Sequence, residues 1–234
     1  MMLHAETTNS LSPGHASKLI GSLIFLDQGA FAHVARAGLN HLKERQYTAQ
    51  TRMTPDLLRS FSLIRAVLDL QPRRVVHVCP SEYDTLVVVS DASQDFPQQG
   101  KAGMLLAHQH GLRVGSFIVI DDPVFSMWDS HPTKIARLEL LAVLHDILTF
   151  PSHFRGQKVV WWIDNVASLM SLVKGRDDSH ELDFMSQLVH LLLGHLHCHI
   201  FCEWTPSASN WADGISHPGN SDPWWREHVA SKCT

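Results

Sequence analysis

The sequence predicts a mixed α/β fold: a five-stranded sheet flanked by helices and preceded by a small helical segment. Three observations carry this reading. Residues 1–72 place apolar side chains at helical spacing, β-branched runs begin only at Thr85, and from there three strands in series give way to strands that alternate with helices. The late strands run parallel through helical crossovers, which makes the sheet mixed.

Each element follows from its own pattern. Leu19, Leu23 and Leu26 mark helical periodicity within residues 15–46, and Leu57, Phe61, Ile64 and Leu68 mark it within 54–70. Thr54 before Pro55 reads as an N-cap with proline at the first helical position, and Gln71-Pro72 reads as the stop. Residues 73–84, with Pro80, the paired Arg73 and Arg74 and a second proline just before them at Pro72, read as a linker. TLVVVSDAS from Thr85 is a β-branched run ending in Asp91, and GKAGMLLAHQHG and LRVGSFIVID supply two more strands with a glycine turn between them. Thr133–Phe150 reads as a helix, Lys158–Ile163 as a short apolar strand, and Asn165–Lys174 as a second helix. Residues 181–196 form a third, and Cys198–Trp204 is the last strand, closed by Thr205-Pro206. The implied organisation is a helical segment over 1–72, a linker over 73–84, an α/β domain over 85–217 and a tail over 218–234.

Composition bounds the function classes. The 234 residues carry 19 Lys+Arg, 23 Asp+Glu and 17 His, a formal charge of −4, with 44% hydrophobic and 18% charged residues, which is a globular balance and not a disordered one. The charge is uneven: residues 1–78 hold nine Lys/Arg and five Asp/Glu, whereas 79–234 hold ten and eighteen. A basic first part suits phosphates, and an acidic second part repels them unless its carboxylates hold cations. Four cysteines without a C-x-x-C pair are too sparse for a disulfide scaffold and point to a reducing compartment. The N-terminus lacks the charged start and apolar run of a signal peptide. The apolar stretch from Met185 to Cys202 is broken by His190, Gly194, His195, His197 and His199, so it reads as a buried soluble element and not a membrane span. The expected setting is intracellular, cytoplasmic or nuclear.

Open α/β sheets place their functional crevice at the carboxyl ends of parallel strands. Asp91 terminates VVVS and Asp164 terminates VVWWI, each directly after a strand that reads as buried on both faces. Glu139 lies in RLELLAVLHDIL beside Leu138, Leu141 and Ala142, at the edge of a packed stripe where an unpaired carboxylate is costly. Asp213 lies in NWADGIS, three residues after Asn210 and on the same face if that stretch is helical. Four converging acids need cations, and carboxylate oxygens suit Mg²⁺, with Mn²⁺ as the alternative ion. Two such ions about 4 Å apart activate a water and stabilise a leaving oxygen in phosphoryl displacement.

VVVSDAS, KIARLELLAVL, VVWWIDNVASL and NWADGIS resemble the D-E-D-D motifs of the type 1 ribonuclease H family, in particular the ribonuclease H domain of retroelement reverse transcriptases, DIRS-like elements among them. The resemblance covers about residues 85–217. It implies that Asp91, Glu139, Asp164 and Asp213 are catalytic metal-binding carboxylates for two Mg²⁺, and that Ser93 and Asn165 lie beside the site and contact substrate. It further implies an endonuclease cutting the RNA strand of RNA–DNA hybrids to leave 3′-hydroxyl and 5′-phosphate ends. LSPGHASKLIGSLIFLDQGAFAHVARAGLNHL is similar to the connection segment between polymerase and ribonuclease H in such elements, so the polymerase domain is expected to be supplied elsewhere; no Y-x-D-D motif is present. Two features depart from the family. KGRDDSHE replaces the basic helical protrusion of cellular members, and His217 stands where arginine is expected, as a substrate-contacting candidate.

Two other readings differ from this one. An integrase or transposase core orders its acids Asp, Asp, Glu, whereas Glu is second here. A ribonuclease H-fold relic or nucleic-acid-binding module without turnover keeps the same motifs. A zinc site among His195, His197, Cys198, His199 and Cys202 is disfavoured, because on a strand Cys198, Ile200 and Cys202 face one side while His197, His199 and Phe201 face the other. Trp161, Trp162, Trp204, Trp211, Trp224 and Trp225 read as core or interface aromatics more than as base-stacking groups.

Overall fold

The computed structural model describes residues 1–26, 36, 38–71, 85–95, 99–108, 113–128 and 134–216. The expected linker over 73–84, the tail over 218–234 and His217 therefore lie outside the described residues. The chain divides into two compact units, Met1–Pro80 with Lys174–Arg176, and Ser81–Val173 with Asp177–Thr234.

The first unit is helical: α1 (Met2–Thr7), α2 (Pro13–Leu26), α3 (Asn40–Gln46) and α4 (Pro55–Leu70). Helix α4 begins as its sequence predicts, with the Thr54 side chain accepting from Leu57 N–H at 3.3 Å and Pro55 in the first turn. Gln71 ends it in the left-handed conformation at φ 46°. Leu57, Phe61 and Ile64 pack with Leu11, Ile20, Leu23 and Leu42 in one core. Where one helical run over 15–46 was expected, the described residues hold two separate helices.

The second unit is a mixed five-stranded sheet flanked by helices. Its strands are β1 (Thr85–Asp95), β2 (Gln99–His108), β3 (Arg113–Ile120), β4 (Lys158–Ile163) and β5 (His199–Trp204), in the spatial order β3-β2-β1-β4-β5. β1 pairs antiparallel with β2, β2 antiparallel with β3, and β4 lies parallel to both β1 and β5. The helices are α5 (Asp122–Ser126), α6 (Ile135–Thr149), α7 (Pro151–Phe154), α8 (Val166–Lys174), α9 (His180–His195) and α10 (Asp213–Ser216), with a 3₁₀ turn at Ser207–Ser209. Alternation along β1 splits its side chains between two layers. Leu86 and Val88 join the large core with α6, α8 and α9, whereas Val89 joins a smaller cluster with Leu105, Ala212 and Ile215. At the centre of the large core Trp161 stacks on Phe154, with centroids 5.5 Å apart, and donates from its indole to the Ser90 hydroxyl at 2.9 Å.

One boundary differs from the expectation in a way that matters for the site. β1 does not end at Asp91. Its parallel pairing with β4 stops at Val89↔Trp162, but its antiparallel pairing with β2 continues through Asp91↔Gly103 to Asp95↔Gln99. Asp91 is thus past the end of one ladder and inside another, because the two edges of β1 are relieved of their partners at different residues.

Candidate metal centre

Asp91 and Asp164 each stand two residues beyond the last parallel pair, Val89↔Trp162, so neighbouring strands deliver two carboxylates in step at one end of the sheet. Asp91 is 3% exposed, whereas Asp164 is half-buried. With β4 no longer alongside, the Ala92 N–H donates instead to Glu139 Oε1 at 3.1 Å, which ties α6 to the vacated edge of β1.

Glu139 was expected at the edge of a packed stripe, but the structure buries it at 1% exposure. The difference arises from how closely α6 approaches the sheet. A Cβ on Gly100 would lie 2.6 Å from Leu138 Cδ2 and 3.1 Å from Phe125 Cζ, so α6 packs closely on β2 at the residue before Glu139. Burial pushes the Glu139 carboxyl well above its ordinary value, and the nearby charges of Asp91 and Asp164 push it the same way, against the Ala92 N–H. Its Oε2 is buried with no hydrogen-bond partner among the described residues. Oxygens of Asp91, Glu139 and Asp164 all lie within 4.8 Å of one another.

Asp213 is not in that group. It is half-buried at the start of α10, and its N–H donates to the Asn210 carbonyl at 3.1 Å. The stretch from Asn210 to Ala212 is not helical, so the two share no helical face; Asn210 precedes α10, and its Oδ1 accepts from Ala212 N–H at 3.0 Å. Ser93, read as a substrate contact, is 2% exposed with its hydroxyl donating to the Ser216 carbonyl at 2.7 Å. Asn165, read the same way, caps α8: its Oδ1 accepts from Ser168 N–H at 3.1 Å and from the Ser168 hydroxyl at 3.0 Å. Two residues that the sequence reading did not single out hold Asp91. The Asn210 amide donates to Asp91 Oδ1 at 3.3 Å, and the Ser216 hydroxyl donates to Asp91 Oδ2.

The residues fit a divalent cation. Three carboxylates supply oxygen donors alone, the set that hard ions such as Mg²⁺ and Mn²⁺ take, and the unpartnered Glu139 Oε2 is an acceptor whose burial is costly without a cation or a donor. Among the described residues no other cluster of three His, Cys, Asp or Glu side chains could hold an ion. Cys198, Ile200 and Cys202 all face the large core, and burial pushes both thiols up to about 12, far from the thiolate that zinc needs. No helix among the described residues is long and apolar enough to cross a membrane.

No protein-family model matches the chain, and no curated protein matches it. Among solved structures the chain is similar to the N-terminal RNase H domain of a Mycobacterium tuberculosis protein, solved as a fusion with maltose-binding protein, at 14% identity over 58% of this chain and 93% of that one, with a TM-score of 0.47. It is similar to RNase H1 of the halophilic archaeon Halobacterium salinarum at 14% identity over 59% of this chain and 98% of that one, TM-score 0.44. A third, an RNase H1 isolated from compost by a metagenomic approach, aligns at 13% identity over 54% of this chain and 87% of that one, TM-score 0.42.

Proposed function

We propose that the chain is a ribonuclease H-like, divalent-metal-dependent endonuclease that cuts the RNA strand of RNA–DNA hybrids, as the ribonuclease H part of a retroelement reverse transcriptase. The observation that carries this reading is the convergence of Asp91 and Asp164, each two residues past the last parallel pair of β1 and β4, with Glu139 of α6, whose buried Oε2 has no hydrogen-bond partner among the described residues. The order of the four motifs in the sequence supports it. Asp91 and Glu139 are held by hydrogen bonds from Asn210, Ser216 and Ala92, and Asp164 follows β4 directly, so the three acids present a fixed oxygen cradle to a phosphodiester. When bound, divalent ions there activate the attacking water and stabilise the departing oxygen. Selection of RNA rests on its 2′-hydroxyl, which distinguishes the cut strand from DNA.

A second reading, a nucleic-acid-binding module without turnover, is favoured by one observation: Asp213 is not among the three acids whose oxygens lie within 4.8 Å of one another. Incubation of the purified chain with end-labelled RNA annealed to DNA, in Mg²⁺ and then in Mn²⁺, separates the two. The enzyme reading expects internal cuts in the hybrid's RNA leaving 3′-hydroxyl and 5′-phosphate ends, and none in duplex DNA. Hybrid binding with intact RNA in both ions establishes the module.

A further inference from the structure

We infer that Asn210 and Ser216 are positioning residues that orient the Asp91 carboxylate for a divalent cation; this rests on the reading of Asp91, Glu139 and Asp164 as the cation's ligands. Both residues lie on the C-terminal turn that reaches back to β1, and both are buried, at 5% and 0% exposure. The Asn210 amide spans two acceptors on β1, the Ser90 carbonyl at 3.1 Å and Asp91 Oδ1 at 3.3 Å. The Ser216 hydroxyl has a single proton and two acceptors in reach, Asp91 Oδ2 and the Asp213 carbonyl at 3.2 Å. A carboxylate accepts more strongly than a neutral carbonyl, so the Ser216 hydroxyl donates to Asp91 Oδ2.

The two donors meet different oxygens of one carboxylate. A carboxylate held on both oxygens has lost its rotation about the Cβ–Cγ bond, and each oxygen keeps lone-pair capacity for an ion. The turn is itself anchored: Ser93 donates to the Ser216 carbonyl at 2.7 Å, and Asn210 Oδ1 takes the Ala212 N–H at 3.0 Å. Asp91 is therefore oriented before any ion arrives, and the entropy of fixing it does not fall on binding. Groups that orient a metal ligand in this way are worth about ten- to a hundredfold in metal affinity.

Calorimetric titration of the full chain with Mg²⁺, and electron paramagnetic resonance titration with Mn²⁺, read this directly without turnover. Ser216→Ala removes the hydroxyl, and Asn210→Ser removes the amide donor while leaving an oxygen able to cap Ala212 N–H. Both are expected to bind each ion about ten- to a hundredfold more weakly than wild type. Ser216→Thr restores the hydroxyl and should recover most of the loss. If Ser216→Ala does not fold, Asn210→Ser, which keeps the cap, decides the question. Folded variants that bind both ions within twofold of wild type overturn the inference, since a merely structural contact lowers the melting temperature and leaves affinity unchanged. A wild-type chain that binds neither ion overturns the metal reading itself, a different outcome from the first.

Discussion

Gly103 stands directly across the β1–β2 ladder from Asp91 and meets α10 there: a Cβ on it would lie 2.7 Å from Ile215 Cγ2 and 3.2 Å from the Ser216 backbone nitrogen. The glycine is what lets the C-terminal turn descend far enough for Ser216 to reach Asp91. Gly103→Ala should cost about 1–3 kcal/mol of stability through overpacking. It should also reduce the stabilisation gained from Mg²⁺, because Ser216 is pushed off its acceptor. Calorimetric melting with and without Mg²⁺ checks both. A variant that melts like wild type and gains as much from the ion would show that Ile215 yields without carrying Ser216 away.

Glu139 couples stability to pH. Its folded carboxyl titrates well above the ordinary 4.5, because of burial first and the charges of Asp91 and Asp164 next. The unfolded state therefore gives up its proton first as pH rises, and the metal-free protein loses stability from about pH 4.5 upward, until Glu139 ionises in the fold. The loss from this one group approaches about 1.4 kcal/mol per pH unit. Glu139→Gln keeps an oxygen for Ala92 N–H and has nothing to ionise. In EDTA its melting temperature should match wild type near pH 4 and exceed it increasingly toward pH 7. Parallel curves for the two proteins across that range would place the titration elsewhere.

Asp164→Asn removes one of the charges that raises Glu139 and one candidate ligand. The indole of Trp204 bonds the Asp164 backbone carbonyl at 3.0 Å, a contact the substitution leaves alone. Without metal the variant should be at least as stable as wild type at neutral pH, yet gain less from Mg²⁺. Hybrid cleavage should fall by more than about a hundredfold, since losing a group that only orients a ligand already costs about ten- to a hundredfold. Melting well below wild type in EDTA would mark Asp164 as structural, and retained cleavage would assign the chemistry to other groups.

The basic balance of residues 1–78 makes a prediction about grip. Lys18 and Arg52 are exposed in the first unit. If they neutralise phosphates, replacing both with glutamine should weaken hybrid binding and reduce the slope of log affinity against log salt by about two, close to one per lost contact. Fluorescence anisotropy with a labelled hybrid across a salt series measures the slope. An unchanged slope would mean that these two cations do not touch the backbone.

What the sequence by itself determined was local in origin. Helical spacing of apolar residues located α4, β-branched and apolar runs with their bounding turns located the five strands, the segments between the late strands located α6, α8 and α9, and cap chemistry fixed the start of α4 at Thr54. The Asn165 cap on α8 is legible too, as asparagine three residues before serine at a helix start. Helices α1, α5 and α7 span six, five and four residues, too short for periodicity to register, although Pro123 and Pro151 in first turns were available signals for α5 and α7. The tertiary structure alone decided which acids meet. The unequal ends of the two ladders keep Asp91 inside β1, the close packing of α6 on β2 at Gly100 accompanies the burial of Glu139, and the turn over residues 210–216 brings Asn210 and Ser216 against Asp91. Those contacts join residues 119 and 125 positions apart. Hydrophobic pattern and capping act over a few neighbouring residues, whereas such a bond exists only once whole helices have packed on both faces of the sheet.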